Sequence, residues 1–328
     1  MAEATSTGRI NKFDNLKGWA ILLIVIGHLT LFRDLPAMSF IRSFVILFDV
    51  GVFFFVAGYF SKIGPDEPIK AFKRLFIPYI IFCIIWEIFN VYCMGGKPTP
   101  ILFINPAYML WFLMSLFFMK LALPIMDRFK YPVLISVIGA LLIGFIDCNI
   151  LGISRAFAFM PLFLLGFYYN DYKEKFTKKF PIVENNKFAV IIAVLSIFAS
   201  IIIALNIPFD IIEMKHVYGN HYLMGMVIRA VVILVSTVNV LVLTRFMTNR
   251  KLIITQFGVY SLTVYLLHAY AITTAKAIAE PYLEGHYILA IAFVFIGSFI
   301  ITYVLSREIV TKALNKLLNA VYIVIGLQ

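Results

Sequence analysis

Charge is what this chain has little of. Only 14% of its 328 residues are Asp, Glu, Lys or Arg, and the acidic ones number 17 against 28 basic. With 62% hydrophobic residues and a mean hydropathy of +0.95, that scarcity excludes a soluble globular protein and indicates a polytopic membrane chain. Cysteine is scarce too. Cys83, Cys93 and Cys148 lack the spacing of a metal site and read as small apolar residues. No HExxH, P-loop, GxSxG or dinucleotide fingerprint occurs, so the soluble chemistries those motifs mark have no foothold. Internal repeats, low-complexity tracts and linkers are also missing. The expectation is one integral-membrane domain over 1–328, with a polar N-terminus at 1–12 and an interfacial tail at 307–328. The polar start runs into an apolar stretch without a small-residue cleavage site close behind it, which predicts an uncleaved first helix.

What the chain does have is apolar runs, about ten of them long enough to cross a bilayer, near 16–33, 37–61, 73–94, 107–126, 131–149, 154–170, 187–206, 222–247, 252–275 and 287–306. The net charge of +11 would suggest nucleic acid in a soluble protein; here the basic residues cluster in short loops and report topology. With the N-terminus inside, 21 of the 28 basic residues fall on the inner side, while Arg33, Arg42, Lys97, Arg155, Lys215 and Lys276 fall outside and Arg229 lies within a span. The predicted fold is all-α: a polytopic helix bundle of about ten transmembrane helices, both termini cytoplasmic, in the cytoplasmic (plasma) membrane.

The first run carries the most informative pair. Lys17 and His28 are eleven residues apart, about three turns, and share one helix face with roughly 16 Å of rise between them. A histidine in hydrocarbon is expensive and marks a functional site by default, whereas a lysine at a helix end snorkels to water without that cost. Lys73 and Arg74 join Lys17 at the inner mouth, and Glu87, Arg229 and His268 fall towards the outer half with His28. A cationic mouth suits phosphate, and an imidazole deeper on the same face suits a general base. Acetyl-CoA meets both requirements, as a donor substrate and not a permanently bound cofactor. Its nucleotide phosphates would sit at Lys17, Lys73 and Arg74, and its pantetheine arm would present a thioester near His28.

Other residues carry two readings each. Asp14 orients Lys17 or caps the helix. Glu87 and Arg229 satisfy one another across a helix interface, or bind the acceptor. Trp111 stacks on a ligand ring or packs. Tyr265 and His268 contact a sugar or belong to an interfacial aromatic belt. Asp49, in the middle of the second run, orients His28 or pairs with a cation. His216 and His221, near Asp210 and Glu213, read as a solvated loop ahead of a metal site.

Several segments resemble the membrane acyltransferase-3 family of O-acyltransferases, especially members similar to fucose 4-O-acetylases. Lys17 and His28 match the family's basic residue, ten residues, then histidine, within Phe13-Asp14-Asn15-Leu16-Lys17-Gly18 and Gly27-His28. Val52 to Tyr59 is similar to its aromatic second segment, with Ala57 where serine is usual; Lys73-Arg74-Leu75-Phe76-Ile77-Pro78-Tyr79 resembles the start of its third helix. Leu110-Trp111-Phe112-Leu113 and Ser261 to His268 resemble its fourth-helix and late motifs. The resemblance implies ten spans, an acyl-CoA donor from the cytoplasm and a carbohydrate hydroxyl as acceptor, on a glycan that reaches the membrane core or on a lipid-linked sugar. The alternative class is a transporter of a small solute such as an amino acid or sugar, served equally by intramembrane ionisable residues. Against it, the chain shows no repeated halves.

Overall fold

The computed structural model describes residues 10–99, 101–104, 109–146, 150–215, 218–219 and 221–326. Among these residues there is no strand. A helix satisfies the backbone polar groups of each apolar run within the run itself, away from water. Prolines open several helices, at Pro36, Pro68 and Pro132, where the missing N–H costs nothing. Some buried hydroxyls are absorbed by their own helices: Ser200, Thr244 and Thr302 each donate to the carbonyl four residues back over 2.7 Å.

Seven helices among the described residues are long and apolar enough to cross a membrane: Pro36–Tyr59, Glu67–Cys93, Ile150–Phe167, Asn186–Asn206, Tyr222–Phe246, Ser261–Leu283 and Tyr287–Leu305. The other three expected runs are helical as well, in different form. The first, Asn11–Leu29, carries Lys12, Asp14 and Lys17 in its opening turns. Trp111–Met126 and Pro132–Phe145 are apolar but short.

Two of the expected runs are broken. The second bends between Pro36–Val45 and Val50–Tyr59, and Asp49 stands at the break, where its carboxylate accepts from the Val50 N–H and caps the following helix. The ninth divides into Ile253–Val259 and Ser261–Leu283 around Tyr260, so its long helix continues well past residue 275. The tail helix Glu308–Val324 does more than lie at an interface. It buries Leu314 and Leu318, Thr311 shares a 2.8 Å hydrogen bond with Thr263, and Tyr322 Oη donates to the Lys73 carbonyl over 2.7 Å.

Glycines set two close helix crossings. A Cβ on Gly18 would strike the Ile254 carbonyl, and one on Gly258 the Asp14 carbonyl, so Asn11–Leu29 and Ile253–Val259 touch backbone to backbone. Val50–Tyr59 and Ile153–Phe167 do the same through Gly58 against the Phe163 carbonyl and Gly166 against that of Phe55. Around the second crossing lies an aromatic core, with Phe54 at 4.7 Å from Phe112 and 5.2 Å from Phe159 between ring centroids.

Candidate active site

The first helix is anchored before it reaches the site. Asn15, fully buried, donates to the carbonyls of Thr248 and Arg250 over 2.9 Å each and accepts from Thr255 Oγ1 over 2.5 Å. At the other end Thr30 Oγ1 donates to the Gly27 carbonyl over 2.9 Å and Lys276 Nζ donates to that of Thr30 over 2.7 Å. Between these two clamps, Lys17, Ile24 and His28 form one stripe facing a cavity of about 360 Å³. That volume lies within the range of small-molecule sites.

One end of the cavity is basic. Lys17 pairs with Asp14 at 2.9 Å, Arg74 enters from the π-helical stretch Phe72–Phe76, and Lys120 enters from Trp111–Met126 with its ammonium 3.0 Å from Ser61 Oγ. The middle is apolar, walled by Phe53, Val56 and Ala57 and by Phe112 and Leu116. The other end holds His28, His268, Tyr265 and Trp111. The Ser261–Leu283 helix places Ser261, Tyr265 and His268 on one face, and Tyr265 Oη donates to the Met109 carbonyl over 2.5 Å. The two imidazole centroids are 5.8 Å apart. His268 has no exposed surface; its Nδ1 lies 3.1 Å from the Val264 carbonyl and 2.6 Å from that of Tyr265.

The expected site residues therefore divide. Lys17, Arg74, His28, Trp111, Tyr265 and His268 line one cavity, and Asp14 sits behind Lys17. Lys73 is not in the cavity wall; its backbone holds the tail helix through Tyr322. Glu87 accepts from the Thr99 N–H (2.5 Å) and hydroxyl (2.8 Å). Arg229, buried, donates to the Ala140 carbonyl over 3.3 Å, with its guanidinium 5.0 Å from the Tyr218 ring centroid. Neither Glu87 nor Arg229 contributes to the cavity wall. Trp111 also packs away from the cavity, under the Arg155 guanidinium at 4.2 Å. His216 lies outside the described residues.

Lys120 is the wall cation that sequence reasoning counted only as an inner-side charge. Its signal was present: it is the one charged residue in the helix WFLMSLFFMKLALPIM.

The fold and this cavity define an all-helical integral membrane protein with a basic-ended internal binding site that closes on two histidines. The acyltransferase-3 family model, an acyltransferase domain, matches residues 10–307, and the chain belongs to that family. It is a membrane acyltransferase. No curated protein and no solved structure matches the chain.

Proposed function

We propose that the protein moves an acetyl or other short acyl group from cytoplasmic acyl-CoA to a hydroxyl of a carbohydrate, on a cell-surface glycan or a lipid-linked sugar, in the plasma membrane. One observation carries this reading: a single cavity runs from Lys17, Arg74 and Lys120 to His28. Cations at the mouth pair with the nucleotide phosphates at charge-assisted strength. The apolar middle takes the pantetheine arm, and the roughly 16 Å of helix rise from Lys17 to His28 matches its reach.

His28 then acts as general base. The acceptor oxygen attacks the thioester carbonyl; the new C–O bond forms as the C–S bond breaks. The hydroxyl proton passes to His28, and CoA leaves as the thiolate, which takes that proton back from the imidazolium. Trp111 and Tyr265, at the same end, supply aromatic wall against which the acceptor ring rests.

The test is release of CoA from acetyl-CoA by the purified protein, with and without a hydroxyl acceptor. His28→Ala is expected to lower turnover about a hundredfold or more while the protein keeps its thermal stabilisation by CoA. Undiminished turnover in a folded His28→Ala protein overturns the reading.

A further inference from the structure

His268 is used by nothing so far except as wall, yet its surroundings fix its chemistry. Its Nδ1 faces two carbonyl oxygens, of Val264 and Tyr265, and carbonyls only accept. The hydrogen is therefore on Nδ1, and Nε2 carries a lone pair. That Nε2 has no hydrogen-bond partner among the described residues, and the residue has no exposed surface. A buried acceptor left without a donor needs a reason.

Among the described residues His28 is a neighbour that can supply a donor, at 5.8 Å between centroids. Two imidazoles joined by an N–H···N bond have centroids roughly 5 Å apart, so closing this gap takes a shift of under about 1 Å. The charged side chains that bear on His28 include the cations Arg42, Lys276 and Arg33. Lys276 is on the His268 helix and donates to the Thr30 carbonyl. An imidazolium formed at His28 thus meets positive charge from these side chains and a lone pair at His268 Nε2.

We propose that His268 is the positioning partner of His28: when His28 takes the acceptor's proton, its second N–H donates to His268 Nε2. The inference rests on the reading of His28 as the base. It gives a buried site the orienting group that a carboxylate supplies elsewhere, without burying a second charge in the membrane. Among the described residues no bond to His268 Nε2 is made, so on this proposal the interaction forms with the charge and favours the transition state.

The test measures kcat, KM and the pH dependence of kcat for the full chain in detergent, with acetyl-CoA as donor and glycerol as hydroxyl acceptor. His268→Asn keeps an amide donor for the Val264 and Tyr265 carbonyls but removes the acceptor at the ε position. It is expected to lower kcat about tenfold with KM for acetyl-CoA within about twofold, and to move the rising limb of the pH profile to lower pH, because the imidazolium has lost its acceptor. His268→Gln returns an acceptor to the ε position and is expected to restore the limb and most of kcat. Unchanged kcat and limb in His268→Asn, or equal losses in both variants with the limb unmoved, overturn the proposal in favour of packing. If the asparagine protein does not fold, His268→Gln decides alone: a limb displaced to lower pH overturns it. His28→Ala separates the two readings. If it is inactive while the His268 variants are indifferent, the base stands and its partner falls; if it stays active, both fall.

Discussion

The ammonium of Lys120 donates to the hydroxyl of Ser61 over 3.0 Å, and Ser61 Oγ in turn donates to the Ala57 carbonyl over 2.7 Å. This chain of donors ties a cation on one helix to the end of another, at the mouth of the cavity. A lysine held this way loses less freedom on gripping an anion than one that swings free. Lys120→Ala is expected to raise the KM for acetyl-CoA about tenfold with kcat within about threefold, because it removes binding and leaves the reacting end intact. Lys120→Arg should recover most of the loss, and Ser61→Ala should cost less than Lys120→Ala. Steady-state kinetics on the three proteins check the order.

Asn15 bears on stability, not turnover. It joins the first helix to residues 248–255 by three hydrogen bonds, all at a fully buried side chain. Asn15→Ala leaves two carbonyls and the Thr255 hydroxyl to find other partners, at a cost of about 2–4 kcal/mol. Thermal denaturation of the detergent-purified protein should show a clear fall in midpoint. Asn15→Asp should fall too, since a carboxylate cannot donate to the Thr248 and Arg250 carbonyls.

The stripe of Lys17 and His28 was legible in the sequence because both members are on one helix, where spacing alone decides which residues share a face. The apolar runs were legible for the same local reason, and so was the aromatic wall at Trp111. What joined His268 to His28 was not legible: the two are 240 positions apart, and only the packing of Asn11–Leu29 against Ser261–Leu283 brings their rings together. Lys120 was visible as an isolated charge in an apolar helix, but its direction depends on Ser61. Asp49 read as a deep carboxylate that orients His28 or pairs with a cation because an apolar run gives no sign of where it bends; the break makes it a helix cap. Glu87 and Arg229 fell at one depth by arithmetic, and depth says nothing about azimuth. Their partners include Thr99 for one and Ala140 for the other, in different parts of the bundle.

The glycine crossings separate close approach from ordinary packing. A methyl group at Gly166 would collide with the Phe55 carbonyl, which is backbone in a packed helix and has nowhere to go. Gly166→Ala is expected to destabilise by about 2 kcal/mol or more and to reduce the yield of monodisperse protein. Gly139 is a control within the same fold: a methyl there would sit 3.4 Å from Phe157, at van der Waals distance. Gly139→Ala should be neutral or stabilising by up to about 1 kcal/mol, from helix propensity. Similar losses in both variants would mean that helix contact at Gly166 is looser than the backbone distances indicate.

Ala57 offers a way to cut the passage in two. It lines the cavity between the basic mouth and the histidines, on the helix whose end carries Ser61. Ala57→Phe puts a ring into the apolar middle while leaving Lys17, Arg74 and Lys120 in place. Adenosine 3′,5′-bisphosphate has the 3′-phosphate and the first 5′-phosphate of CoA without the second 5′-phosphate or the pantetheine arm, so it needs the mouth alone. It is expected to stabilise Ala57→Phe thermally about as much as it stabilises the parent chain, since the charge-assisted contacts are untouched. Acetyl-CoA turnover should fall about a hundredfold or more, because the thioester no longer reaches His28. Ala57→Gly should stay within about threefold of the parent, which shows that bulk and not the loss of a methyl is responsible. Turnover that survives the ring, together with retained bisphosphate binding, would mean that the donor reaches the histidines by another route.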